Sequence, residues 1–529
     1  MIVNNDFIKS AGNLPLVFSR QYLTSVRDLA SAGTTGIGAG EISYRPVATL
    51  SYFADYRLWK LKAFGYHLTS LLLHIINAIL IFTLAVLLTG EEAIALPAAL
   101  VFALHPVNTE AVNAIAFRED ILAFLFFVSS FIFYTIAGKA SGPKRVSCKA
   151  LSLILFVPAL FSKEMAITLP LVLILYDRYF KKQPVSKWPY FTIVAFYLLI
   201  WGVIFKNPNP PAAYPANSLY AGLLTMPLVF ARYVQWAILP LNLHFTVTEP
   251  HLIVRHFRPE VLFSFLLLAG FLAAAIKMRK AYKVMSFCII WFFLTLLPVA
   301  NIFPLNQIIG MRYLYLPIAG FCILLPLCLH KISGRRAYAF IMAAILLFYS
   351  FVSMERIKSW KDNISLWSEI AGWYADNYSA HSGLAEVFLQ EGRPDKAIKE
   401  FETALKLRPR SPELCYRLAG LYEASGNSAE AQKAYQKAIG LNPGYLEAYN
   451  DLAALYSETG RIKEAMALWN KALAIDPRFM TAHFNLAVFY FQDKQYEAAI
   501  RHTDAVVAAG GKVDPGFLEL LKPYRKPAA

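Results

Sequence analysis

Ten apolar runs follow one another along the first two thirds of the chain. They lie near residues 67–88, 93–105, 118–137, 150–161, 165–180, 188–205, 260–276, 284–303, 313–330 and 336–353. About 20 consecutive apolar residues are needed for a helix to cross the hydrocarbon core of a bilayer. Backbone in lipid must satisfy its own hydrogen bonds, so runs of this kind fold as helices of a polytopic membrane protein. Composition agrees. The chain is 57% hydrophobic over 529 residues, against about 45–50% for soluble domains, and its mean hydropathy is +0.45. About ten spans are expected. The second, fourth and fifth runs are short and are expected to be kinked, tilted or buried by neighbours, as Pro97 and Pro158 suggest. A further stretch, 219–240, holds Arg232 and Gln235 and reads as an interfacial helix.

The formal net charge is +16. No basic helix or RNA-binding motif accompanies it, so nucleic acid is not an expected partner. The cations instead fall in loops. GKASGPKRVSCK, KKQPVSK, KMRKAYK and HKISGRR follow the third, fifth, seventh and ninth runs, and the positive-inside rule makes these loops cytoplasmic. The opposite ends of the runs then meet at the outer face. There lie SYRP (43–46), HPVNTEAV (105–112), FRED (117–120), FSKE (161–164) and GMRYLYLP (310–317). The rule also puts the N-terminus outside, although the first 66 residues show no signal peptide. Five cysteines without a CxxC pair give no disulfide framework or zinc site.

Ionisable groups at membrane depth suggest a functional site. Here they are expected to line a water-accessible cavity. Pro106 suits a first helical turn and puts His105 beside its exposed N–H groups, which favour anions. Glu110 and Asn113 share a helix face. Arg45, Arg118, Lys163 and Arg312 are candidates to converge on a lipid phosphate, arginine as a fork and lysine as a point charge. The plainer readings are arginines that snorkel to headgroups and a polar cluster that only fixes a helix hairpin. Lys163 and Glu164 are adjacent and do not face each other on a helix. No HExxH, Walker A, GxSxG or GxGxxG motif is present. His67 and His74 read as packing or interhelical hydrogen-bonding residues rather than a metal pair.

The last third has a 34-residue period. Pro409, Pro443 and Pro477 keep it, as do Gly392, Gly426 and Gly460, and Ala397, Ala431 and Ala465. Phe401, Tyr435 and Trp469 keep it too, with Ala404, Ala438 and Ala472. This is the signature of tetratricopeptide repeats (TPRs). Small residues let helices approach, glycines turn the chain and prolines stop the second helix of each unit. A fourth, degenerate unit is expected over about 480–511, capped by PGFLELLKPY. The repeats imply a polypeptide partner on a concave surface.

SYRPVATLSYFADY, GYHLTSLLLH, FALHPVNTEAV, FREDILA, FSKEMAITLP and RYLYLP, in this order, lead into WKDNISLWSEI and the repeats. The whole chain therefore resembles the transmembrane and TPR-repeat-containing O-mannosyltransferases and their bacterial relatives. The resemblance implies an all-α chain, with a polytopic GT-C-like transmembrane domain followed by a TPR superhelix. Expected boundaries are an outer-face segment over 1–66, the membrane domain over 67–353, a linker helix over 354–377 and TPRs over 378–525. The implied reaction moves a sugar from a polyprenyl-phosphate donor to a protein hydroxyl on the periplasmic or lumenal side, with a divalent metal in some such enzymes. Asp120 and Glu110 would be the catalytic carboxylates. Arg45, His105, Arg118, Lys163, Glu164 and Arg312 would bind substrate. The expected location is a bacterial inner membrane with periplasmic TPRs, or the endoplasmic reticulum with lumenal ones. The family's first span and first-loop acidic pair are expected ahead of Met1, and Asp6 is a poor substitute. That leaves three readings: a misplaced start, a fragment, or a chain without catalysis. In the last case it would be a membrane-anchored TPR scaffold for envelope or secretory proteins.

Overall fold

The structure, a computed structural model, describes residues 6–18, 45–180, 186–204, 214–243, 252–305 and 307–525. GTTGIGAGE and part of KKQPVSK lie outside them. All regular structure among the described residues is helical, and the chain divides into two units, Met1–Ser365 and Leu366–Ala529.

In the first unit, α1 (Pro46–Trp59), α2 (Ala63–Thr89), α3 (Glu92–Leu104), α4 (Thr109–Asn113), α5 (Arg118–Lys139) and α6 (Gly142–Ser162) are followed by α7 (Leu169–Phe180) and α8 (Trp188–Leu199). Then come α9 (Leu219–Ile238), α10 (Pro259–Met278), α11 (Lys283–Thr295), α12 (Ile318–Ile332) and α13 (Arg335–Ser359). Among the described residues, five helices are long and apolar enough to cross a membrane: Ala63–Thr89, Ile115–Lys139, Gly142–Ser162, Pro259–Met278 and Arg335–Ser359. Glu92–Leu104 and Pro106–Asn113 form a pair bent by 46° that would make a sixth span. Trp188–Gly202, Lys283–Val299 and Ile318–Ile332 are shorter apolar helices. The chain is a membrane protein. Its α2, at 27 residues, is about 40 Å long, longer than the roughly 30 Å hydrocarbon layer. It stops at Gly90, which takes the left-handed conformation.

The break in the α3 region falls at His105 and not at Pro97, which stays inside α3. Pro106 disfavours helix in the residue before it, and His105 is extended at φ −67° and ψ 124°. The apolar core joins α2 to α9 with α11, α12 and α13. A Cβ on Gly320 would lie 2.4 Å from the Cys288 carbonyl oxygen, so α12 passes α11 at a distance that only glycine allows.

A helix over Asn363–Trp373, α14, lies in the expected linker. The repeats are α15 (Tyr378–Gln390) with α16 (Pro394–Leu407), α17 (Pro412–Ala424) with α18 (Ser428–Leu441), and α19 (Leu446–Glu458) with α20 (Ile462–Ile475). The fourth pair is α21 (Met480–Gln492) with α22 (Tyr496–Ala508), and α23 (Pro515–Leu521) follows. The periodic alanines are fully buried, and Phe401, Tyr435 and Trp469 fill the space between helices. In the fourth unit Ala499, Thr503 and Val506 take the matching positions and are also buried. Gly392, Gly426 and Gly460 have φ near +70° to +79°, and Lys494 takes the equivalent turn at φ +60°.

The two ends of the array share a histidine. His381 and His483 stand three periods apart. The Nε2 atoms lie 3.1 Å from the carbonyl oxygens of Ala375 and Pro477 respectively. The Nδ1 atoms differ in partner. His381 meets Glu400 at 2.7 Å, whereas His483 meets His502 Nδ1 at 2.9 Å. With Nε2–H donating to Pro477, a neutral His483 offers Nδ1 as acceptor, so His502 Nδ1 carries the hydrogen. Burial, then His483 and Arg501, push the His502 pKa below its ordinary value. Its ring is stacked on Tyr490 at 5.5 Å.

Two outcomes follow for the fourth unit. Lys494→Gly relieves a left-handed non-glycine residue and is expected to stabilise that unit by about 1 kcal/mol, read as slower amide exchange in α21 and α22. The neutral His502 contributes stability that is present above the ordinary histidine pKa of about 6.5 and is lost as pH falls through its lower folded value. Exchange corrected for intrinsic rates should therefore rise in α21 and α22 on acidification, ahead of α15 and α16. His502→Gln should flatten that response.

Candidate active site

The first turn of α5 carries three consecutive charges, Arg118, Glu119 and Asp120. Successive helical residues point about 100° apart, so each side chain reaches a different part of the unit. Arg118 turns to α1 and α2. Its Nη1 lies 2.5 Å from Asp55 Oδ2, its Nη2 donates to the Tyr66 carbonyl at 2.8 Å, and its Nε donates to Ser70 Oγ at 3.2 Å. The guanidinium lies 5.0 Å from the centre of the Tyr52 ring. Glu119 accepts a hydrogen bond from Arg45, immediately before α1. Asp120 receives Lys163 Nζ on both carboxylate oxygens at 2.6 Å. The two acids also sit at a helix N-terminus, where negative charge is favoured.

Two further segments close the cluster. Glu110, on α4, accepts from Arg312 Nη1 and from the Arg312 backbone N–H, both at 3.2 Å. Arg312 lies over the rings of Phe117 at 4.1 Å and Tyr313 at 4.9 Å, and Lys163 stands 5.4 Å from the same Tyr313 ring. Arg45 completes the set by also reaching Glu164, at 3.3 and 3.4 Å. Four cations and five carboxylates thus converge from segments far apart in sequence.

The expected convergence of Arg45, Arg118, Lys163 and Arg312 is there, but the expected water-lined arrangement is different. Glu110, Arg118, Glu119, Asp120, Lys163 and Arg312 are buried. The reason is electrostatic: each charge has an opposite partner, and such pairing lets charges leave water. Glu164 is the exception, with 54% of its side-chain surface open. The surrounding protein works against its ionised form. Arg45 and then Lys163 outweigh that effect and hold its pKa below the ordinary value. Lys163 and Glu164 do not pair with each other; each faces a different partner.

His105 lies apart from the ion pairs. Its Nε2 faces the Ala237 carbonyl at 3.0 Å, its Nδ1 accepts from Val107 N–H at 3.4 Å, and its ring packs on Tyr349. It caps the turn at the α3 break. His74 makes the interhelical bonds that suit its position, with Nδ1 2.7 Å from the Tyr315 hydroxyl and Nε2 3.2 Å from the Ala103 carbonyl. Asn77 donates to the same hydroxyl at 3.2 Å.

Sequence reasoning passed over Asp55, Glu119 and Tyr313 as site residues. The available signal was an acid in the aromatic FADY stretch with no visible local partner, and a second acid inside FRED. Among the described residues no group of three or more His, Cys, Asp or Glu side chains is arranged to hold a metal ion. Each carboxylate of the cluster is taken by Arg or Lys. This donor set does not fit a divalent-metal centre.

Comparison with known proteins finds sequence similarity over most of the chain. Tetratricopeptide-repeat family models match residues 388–436, 424–478 and 468–501. A protein O-mannosyl-transferase of Caenorhabditis elegans is 24% identical over 433 residues, covering 77% of this chain and 59% of that protein. Human protein O-mannosyl-transferase TMTC1 is 25% identical, covering 70% of this chain and 48% of its own. Drosophila melanogaster Tmtc3 is 23% identical, covering 69% and 48%. The chain spans about half the length of the curated relatives it matches. Among solved structures, MamA is 23% identical with a TM-score of 0.27, covering 30% of this chain and 93% of that one. Pseudomonas aeruginosa PilF is 19% identical with a TM-score of 0.28, covering 34% and 83%.

The Lys163–Asp120 pair sets a clear expectation. Asp120→Ala leaves a buried ammonium without its partner and should cost about 3–5 kcal/mol. The double replacement Asp120→Leu with Lys163→Met removes both charges and should recover most of that loss. Thermal unfolding of the detergent-solubilised chain reads both. A double variant no more stable than the single one would show that the pairing is not what offsets the burial.

Proposed function

From the homology of this chain to transmembrane, TPR-containing protein O-mannosyl-transferases, we propose that it is a membrane glycosyltransferase. It moves a sugar from a polyprenyl-phosphate donor to a protein hydroxyl on the periplasmic or lumenal side. The observation that carries the reading is the convergence of Arg45, Arg118, Lys163 and Arg312 within a membrane unit. Buried ionisable groups in such a unit are costly and tend to be functional. A departing lipid phosphate needs fixed positive charge, and preorganised donors in a low-dielectric site supply it most strongly. The fold is read as GT-C-like on the same homology. The bacterial inner membrane is the proposed location, with the endoplasmic reticulum as the alternative.

Within this reading, Arg45 at the open edge is the proposed phosphate-binding cation, and Lys163 and Arg312 beside Tyr313 supply fixed positive charge behind it. Glu110 and Asp120, which the resemblance implies as the catalytic carboxylates, are each held on a cation. The proposed role for both is to position Arg312 and Lys163. His105 is proposed to fix the turn that presents Glu110, and Arg118 to lock α1 and α2 onto α5. The TPR unit is proposed to hold the acceptor or another polypeptide partner in the groove that stacked repeats form.

The test is direct. The full chain, placed in vesicles with a radiolabelled polyprenyl-phosphate mannose and a Ser/Thr-rich peptide, should label the peptide. Arg312→Gln should insert normally and lose about 100-fold in transfer, the usual effect of removing one transition-state donor. A wild-type chain that inserts, folds and transfers no hexose from any polyprenyl-phosphate donor would leave the membrane-anchored TPR scaffold as the function.

A further inference from the structure

The ion pairs of the cluster differ sharply in how easily an incoming anion could open them. Lys163 is buried and held on two Asp120 oxygens at 2.6 Å. Arg118 is fully buried and has four further polar or aromatic neighbours beside Asp55. Arg312 is buried, and its backbone N–H as well as its side chain binds Glu110. Opening any of these strands a buried charge. The link between Arg45 and Glu164 is different. It is long, at 3.3 and 3.4 Å, and Glu164 is 54% exposed. Exposed pairs of this kind contribute little. Arg45 also keeps a second anchor, Glu119, when Glu164 leaves.

We propose that Arg45–Glu164 is the exchangeable link of the site: a lipid phosphate replaces Glu164 on Arg45, and the freed Glu164 carboxylate takes the proton of the acceptor hydroxyl. This rests on the transferase reading above and names the base that reading lacks. In the step, the acceptor O–H proton passes to Glu164. The acceptor oxygen forms a bond to the anomeric carbon of the sugar. The bond from that carbon to the phosphate oxygen breaks, and its electron pair leaves with the polyprenyl phosphate, which stays on Arg45. The exchange orders the events. While Arg45 holds Glu164, the carboxylate is a weak base; once phosphate takes Arg45, Glu164 loses its nearest cation and its proton affinity rises. Lys163 and the Tyr197 hydroxyl are the other titratable groups acting on Glu164.

The experiment uses the full chain in nanodiscs and measures binding of undecaprenyl phosphate alongside sugar transfer. Glu164→Gln removes the competing anion. It should bind undecaprenyl phosphate up to about fivefold more tightly, the scale of an exposed ion pair, while transfer falls about 100-fold, the scale of a general base. Glu164→Asp, which keeps the carboxylate, should restore part of the transfer. The acid limb of the wild-type kcat/KM profile should vanish in Glu164→Gln. Arg45→Gln should weaken binding of undecaprenyl phosphate about tenfold. Equal or weaker binding by Glu164→Gln overturns the exchange, because a carboxylate that merely holds Arg45 in place would help binding. Undiminished transfer by Glu164→Gln overturns the base and leaves the transferase reading intact. Tighter binding by Glu164→Gln with no transfer by the wild type supports the exchange and overturns both the base and the transferase reading.

Discussion

The membrane unit depends on three adjacent charges at the start of one helix. Arg118, Glu119 and Asp120 each leave α5 in a different direction and are each met by an opposite charge. Moving an unpaired ion out of water costs far more than a small unit can supply. The position of α5 therefore fixes where Asp55, Arg45 and Lys163 must be. Those partners carry α1, its lead-in and the turn after α6 to the same end of the unit. Glu110 and Arg312 extend the demand to α4 and the turn before α12. Apolar packing alone would tolerate rotation of such helices about their axes, since lipid tails are as apolar as their side chains. A set of directional ion pairs does not.

How much of this was readable follows from the range of each interaction. The TPRs were legible because Ala431, Tyr435 and Ala438 share one repeat core and the pattern recurs at a fixed period. The helical nature of the apolar runs was legible for a similar local reason. The partners in the charged cluster were not. Lys163 and Asp120 are 43 residues apart, and Arg312 and Glu110 are 202 apart. Charge patterning could show that these groups belong at one end, but not which cation takes which acid. Asp55 was missed because nothing near it in sequence advertises an arginine.

The break at His105 shows a finer limit. The sequence offered Pro97 as a kink and Pro106 as a first helical turn. Pro97 lies within α3, where Ile94, Ala95, Ala98, Val101 and Phe102 are buried and hold the helix together. Pro106 follows a residue whose ring is captured by the Ala237 carbonyl and by Tyr349. Tertiary contacts decided at which of the two prolines the helix breaks. The same contest settles His105 itself. A histidine before a helix start suggests an anion site, yet both ring nitrogens are already used.

The charge balance of the cluster then constrains any anion that enters it. With five carboxylates to four cations among the described residues, the cluster shows no surplus positive charge there to attract a phosphate over a long distance. In the proposed exchange, binding comes at close range, where an anion is accepted as another carboxylate is released. Such a site discriminates by geometry, since the newcomer must match the arginine fork that a carboxylate has just left. It also keeps its charges paired in the absence of ligand, which is what lets four cations be housed in a membrane unit at all. On that proposal, the ion pairs that hold the unit together are also the ones that select its ligand. The weakest of them decides which door opens.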